Sequence, residues 1–174
     1  MARMLADGRT KITLLTEKPS NPGAPTASEL NEGHDASGDI FHSDFNFTAQ
    51  ASTTADTKKL TQTGNAQTPT YKQHVAEMTI YRGFSAEGGF EKDGDDKTAQ
   101  ILLESHNTVW AYARRTDKWS DDEWEEGDEI YMGGEFTTDV PQQGDTEDDI
   151  KIRCVMLPQQ VHDYITVGAS GSGD

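Results

Sequence analysis

Apolar residues at every second position constrain this chain more than any other pattern in it. Ala76, Met78 and Ile80 alternate with polar neighbours, and Ile150, Ile152, Cys154 and Met156 alternate with Lys151 and Arg153. Successive side chains of a β-strand point to opposite faces, so a period of two marks one buried face. The same period runs through Ile40–Phe47, with Phe41, Phe45 and Phe47 on one side. In the stretch 71–84, Val75 and Tyr81 add apolar bulk to the second face, which predicts a strand inside a sheet and not at its edge. Residues 11–16, 108–115, 130–137 and 161–167 read as further strands. Residues 97–105 alone read as a helix, with Asp95 or Asp96 as N-cap and Ala99, Leu102 and Leu103 facing inward. The predicted fold is mainly β: two packed antiparallel sheets, a sandwich or half-barrel, with one flanking short α-helix.

Two stretches interrupt the alternation. In 24–40, Pro25 fixes a backbone dihedral and Thr26 or Ser28 can cap a short turn ending at Gly33. In 48–70, 16 of 23 residues are Ala, Ser, Thr or Gln, and Leu60 is the one large aliphatic. Such a composition buries too little surface to offset an ordering cost of roughly 1–2 kcal/mol per residue, so an extended loop, mobile in the isolated chain, is expected. The chain then divides into an N-terminal arm with first strand and connector (1–39), a β-sandwich body (40–167) carrying the loop 48–70, and a flexible tail (168–174). The backbone of 1–10 and of the connector 17–39 lacks a sheet pattern, and its order is expected to come from contacts with neighbours.

Chemistry is sparse. There is no phosphate-binding Gly-rich loop, two-histidine zinc helix or cysteine pair, and no nucleophile elbow picks out a serine. His34, His42, His74, His106 and His162 are scattered. The single Cys154 lies in a strand pattern and reads as a buried, inert thiol. Catalytic, cofactor-binding and metal-binding residues are therefore all expected to be none, and the protein is not expected to be an enzyme. No run approaches the ~20 apolar residues needed to span a bilayer, and no signal peptide opens the chain.

Charge is uneven. Residues 1–82 carry eight basic and nine acidic groups, whereas residues 83–174 carry seven and 22. That balance disfavours attraction to nucleic acid. Asp121–Glu129 packs seven carboxylates into nine residues and Asp145–Asp149 four into five. Neither matches an EF-hand, and a solvated, self-repelling loop is the expectation.

The segment Pro25-Thr26-Ala27-Ser28-Glu29-Leu30-Asn31-Glu32-Gly33, between a first strand at Lys11–Thr16 and a second at Ile40–Phe47, resembles the "PT-x-x-EL-x-x-G" run of major tail tube proteins of long, flexible-tailed bacteriophages, especially those infecting actinobacteria. Thr108–Arg115, a polar loop and Gly127-Asp128-Glu129-Ile130-Tyr131 are similar to that family's strand, loop and "GD-x-[IV]" passage, and Asp139-Val140-Pro141 keeps its spacing. The resemblance implies a virion tail protein made in the bacterial host cytoplasm, whose hexameric rings stack helically into a DNA-conducting tube. Its implied partners are further copies of itself, with tape measure, tail terminator and baseplate proteins. DNA would pass without specific binding, and no membrane is involved. Within that reading, 48–70 is an inter-ring contact and the lumen is electronegative. Two alternatives stand beside it. One is another β-rich virion or tube component: a tail terminator, a capsid decoration protein or a secretion-system tube. The other is a small calcium- or carbohydrate-binding β-sandwich, which exposed Trp119 and Trp124 beside carboxylates would support.

Overall fold

The computed structural model describes residues 3–169. Met1, Ala2 and residues 170–174 of the expected flexible tail lie outside them. The strands are β1 (Thr10–Leu15), β2 (His34–Asp35), β3 (Asn46–Gln50), β4 (Thr54–Asp56), β5 (Gln67–Pro69), β6 (Gln73–Tyr81), β7 (Thr108–Arg115), β8 (Glu129–Thr138), β9 (Gln142–Gln143) and β10 (Lys151–Thr166). Helices α1 (Ala27–Glu32) and α2 (Lys97–Leu103) flank them, with single 3-10 turns at Ser37–Asp39 and His42–Asp44. Eight strands form one antiparallel sheet in the order β2-β1-β7-β8-β10-β6-β3, with β9 beside β10, while β4 and β5 pair only with each other. The fold is mainly β, as its alternating pattern requires.

The two layers expected from sequence share a strand. Lys151–Val155 of β10 pairs with β6, and Met156–Thr166 pairs with β8. Register slips between Pro158 and Gln160, leaving Gln159 as the extra residue of a bulge. A proline has no N–H to give a ladder, and a bulge is one of the few places a sheet tolerates it. The segments 150–156 and 161–167, two strands by sequence, are thus one. The sheet also folds over on itself. Phe47 of β3 lies 5.4 Å from Phe136 and 6.4 Å from Tyr131 of β8, ring centre to ring centre, although β6 and β10 intervene in the pairing order. Between the layers Ile12, Leu14, Val109, Ala111, Met132 and Phe136 meet Ala76, Met78, Ile80, Ile152, Cys154 and Met156, all buried. The alternation at 76–80 therefore marks the core face, and β6 lies inside the sheet.

Several expectations change. Ile40–Phe47 is strand only from Asn46 onward. Phe41 donates its N–H to Thr79 O, and Asp44 accepts from Thr79 Oγ1 at 3.0 Å, which bends the chain into a 3-10 turn before β3 begins at Asn46. Polar anchoring overrides the two-residue pattern there. The run 48–70 is not wholly loop: β3 extends to Gln50, and β4 and β5 form an exposed hairpin. The described residues hold two α-helices, not one. Asp96 sits at the N-cap of α2 but its carboxylate is drawn to Arg82, and Leu103 and Ile150, expected inside, are exposed. Leu103 closes α2 one position past buried Leu102, and Ile150 precedes the first buried rung of β10.

The connector is ordered within the subunit. Thr26 Oγ1 accepts from the Glu29 N–H while Glu29 Oε2 accepts from the Thr26 N–H, a reciprocal capping box that starts α1. Leu30 is buried, Asp35 joins β1 through β2, and Gly168 donates to Pro25 O at 2.9 Å. Local capping replaces the missing sheet pattern, so neighbours are not needed to hold 24–36 in place.

Candidate functional site

Side-chain chemistry is turned to structure throughout. His34 Nε2 lies 2.6 Å from Thr98 Oγ1, which donates to Asp39 and so ties α2 to the turn after β2. Burial, and then Lys97, keep His34 below the usual imidazole range. His74 Nε2 sits 2.9 and 3.0 Å from the two carboxylate oxygens of Asp163, bridging β6 and β10 where they diverge. Cys154 is buried and its thiol is pushed up to about 12 by desolvation. Among the described residues no group of three His, Cys, Asp or Glu could hold a metal ion, and no helix is long and apolar enough to cross a membrane.

The acidic loop after β7 is built around a cation. Val109, Ala111 and Ala113 face the main core, so Trp110, Tyr112 and Arg114 face the other way, and Arg114 is fully buried. Its guanidinium donates to Glu123 O (2.8 Å), Trp119 O (3.1 Å), Asp122 O and Asp128 Oδ2 (2.9 Å). The loop turns three of its carbonyls inward, leaving Asp121, Asp122, Glu123, Glu125 and Glu126 exposed. Lys118 bridges Asp128 (2.7 Å) and Glu125 (2.8 Å). Partial burial works against ionising Asp128, but hydrogen bonds from Lys118 and the Glu125 N–H, with the charge of Arg114, hold it below the usual carboxylate range. The loop is solvated outside and fastened inside, which its composition alone does not reveal. The signal available in sequence was Trp110 and Tyr112 alternating with Val109 and Ala111, a strand covered on both faces.

Trp124 is the loop's second anchor. It is 2% exposed and its Nε1 donates to Thr13 Oγ1 at 2.8 Å. Its main chain is gripped by Asn31, whose amide accepts from Trp124 N (2.8 Å) and donates to Trp124 O (2.9 Å). Trp119 is 53% exposed, with the Arg9 guanidinium 4.1 Å from its ring centre. The two tryptophans do not form one exposed platform, which removes the feature that favoured carbohydrate binding.

The β4–β5 hairpin is the opposite case. Thr53–Thr70 and Thr57–Ala66 hydrogen bonds hold it as a ribbon, yet every residue of both strands is exposed and Leu60 contributes nothing to either core. Its outer edges carry unpaired backbone groups, which in an isolated protein invite pairing with another chain.

The arrangement is one of surfaces: a fastened acidic loop, a projecting ribbon and a closed core. A family model described as "phage tail tube protein" matches residues 1–170. No curated protein matches the chain.

Proposed function

The chain belongs to the phage tail tube protein family, a structural component of the virion tail and not an enzyme, and from that premise we propose that it is the major tube subunit of a long, flexible-tailed phage of the kind that infects actinobacteria. Family membership implies self-assembly into the tail. In the proposed tube, six copies form a ring and rings stack helically around a bore that conducts DNA. Tape measure, terminator and baseplate proteins are its further partners, and the subunit is made in the host cytoplasm. The observation that carries the reading is the exposed ribbon of β4 and β5, ordered by its own ladder but lacking any core contact. It is suited to bridge one ring to the next, where its open edges find partners. The division into arm (1–39), body (40–167) and tail (168–174) follows the same logic, with the body forming the ring wall. The excess of carboxylates in residues 83–174 suits a bore that repels a polyanion, since each basic contact to phosphate would add a binding term along the whole tube.

Electron microscopy of the purified protein tests the reading. Long uniform tubes are the expected result. Discrete single rings would indicate a terminator-like component, and monomers at all concentrations would refute a self-assembling tube subunit.

A further inference from the structure

We propose that an aromatic finger after β6 is a knob that docks into the groove beside β1 of a second copy. The finger spans residues 83–91. Phe84 and Phe90 face each other across a narrow hairpin with ring centres 4.8 Å apart, closed by Ser85, Gly88 and Gly89, the last two at φ of 91° and 87°. The two residues remain 45% and 44% exposed. Two rings tilted against each other at the tip of a projection and left half in water form an apolar contact surface.

The finger is held in readiness at its root. Arg82 forks onto Asp96, which is fully buried, with Nε at 2.6 Å and a terminal nitrogen at 2.8 Å. The same guanidinium stacks 3.9 Å from the centre of the Phe90 ring. Gly83 donates to Asp96 Oδ1 and packs so closely on the Asp95–Asp96 backbone that no side chain fits there. A rigid projection loses little freedom on docking, which favours affinity.

The acceptor is an open groove of about 450 Å³. Ile12, Ile40 and Phe45 give it apolar walls, Arg115 and His42 lie on its lining, and Asp7 is its single carboxylate. A volume in this range accommodates a drug-sized apolar group. Charge matches as well: the finger carries Glu87 and Glu91 and no lysine or arginine between 83 and 91. Arg115 donates through Nε to Thr10 at 2.8 Å, leaving its exposed terminal nitrogens to meet an acid. Knob and groove share no residue, so the contact is head-to-tail, and repetition closes a ring or extends a filament. The inference rests on the self-assembly implied by the family and names which surfaces meet.

The test places a benzoylphenylalanine photocrosslinker at position 84 of the full chain and maps its products in assembled material by mass spectrometry. Crosslinks to residues 40–45 or 115 of another copy are expected. In parallel, Arg115→Glu should raise the critical concentration for assembly about tenfold, and Glu87→Arg in the same chain should restore it. The thermal melt of each free subunit reports whether the variant is folded. Tubes with crosslinks elsewhere, or an Arg115→Glu variant that assembles normally, overturn the contact and leave the tube reading intact. A wild-type chain that stays monomeric overturns both.

Discussion

The acidic loop 117–129 and the ribbon 51–70 are both polar, both connect strands, and both read as solvated loops. They take opposite forms. The loop is gathered onto Arg114 and pinned by Trp124, so its interior is dense with hydrogen bonds and its carboxylates, apart from Asp128, face water. The ribbon has a ladder and no floor. Polar composition therefore does not decide whether a segment is fastened. A single buried cation, supplied by a different element, decides it. A buried guanidinium that satisfies several carbonyls at once is costly to remove because each acceptor is then left unpaired.

The largest effect should come from Arg114→Met. Stripping the loop of its centre is expected to lower the unfolding free energy by about 3–5 kcal/mol, measured by urea denaturation, and to unprotect the amides of 119–128 in hydrogen exchange. A loss below about 1 kcal/mol would mean the loop fastens itself and the contrast with the ribbon is false. Asp128→Asn should cost less, about 1–3 kcal/mol, because Arg114 keeps its carbonyl partners while Lys118 loses its closest one.

Acid should strike the loop before the ribbon. The folded-state pKa of Asp128 lies below its usual value of 3.8, as do those of Asp35, held by Lys11 and Ser37 against partial burial, and Asp96, held by Arg82, Gln100 and Gly83 against burial. Glu29 of the capping box, despite some desolvation, is lowered from 4.5 to about 2 by Ser20 and Thr26. A depressed carboxyl stabilises the fold fully above its unfolded pKa and loses that contribution as pH falls through the folded value. For Glu29 the window runs from 4.5 down to about 2. Urea midpoints should thus fall steeply across that window, and Glu29→Gln should flatten part of the slope. A wild-type midpoint that holds level across it would sink the argument.

The smallest effect on the free subunit should come from removing the ribbon. Replacing residues 53–70 by an Asn-Gly turn is expected to change stability by no more than about 0.5 kcal/mol, while assembly into tubes is lost. Normal tubes from that variant would show that the ribbon is not the inter-ring contact.

Much of this architecture is legible in sequence where the physics is local. Alternation located the core face of β6 and the first half of β10, because one face of each strand is buried and the other is not. Asp96 and the inward Ala99 and Leu102 located α2. Pro25, Thr26 and Gly33 located the turn that became α1. Legibility failed where a residue's environment comes from afar. Phe41 and Phe45 alternate like strand residues, yet Thr79 draws their backbone into a turn. Arg114 looks like a strand-end cation until the loop 14 residues later closes on it through Asp128. The pairing of β4 with β5 was hidden because neither strand has an apolar face to betray a period. The surfaces that meet in assembly leave still fainter marks: Phe84 and Phe90 stand out only once the hairpin brings them together.

One feature of the sheet bears on mechanics. β10 is a single peptide of 16 residues that serves β6 with its first five and β8 with the remainder. The halves of the subunit are thus joined by covalent bonds, and not only by side chains packed across a seam. Bending any tube stretches the subunits on its convex side and compresses those on its concave side. Tension directed along β10 loads its two ladders in shear, so their hydrogen bonds must fail together and not one after another. The bulge at Gln159, where the ladder to β8 skips a residue, divides that row of bonds into two shorter ones.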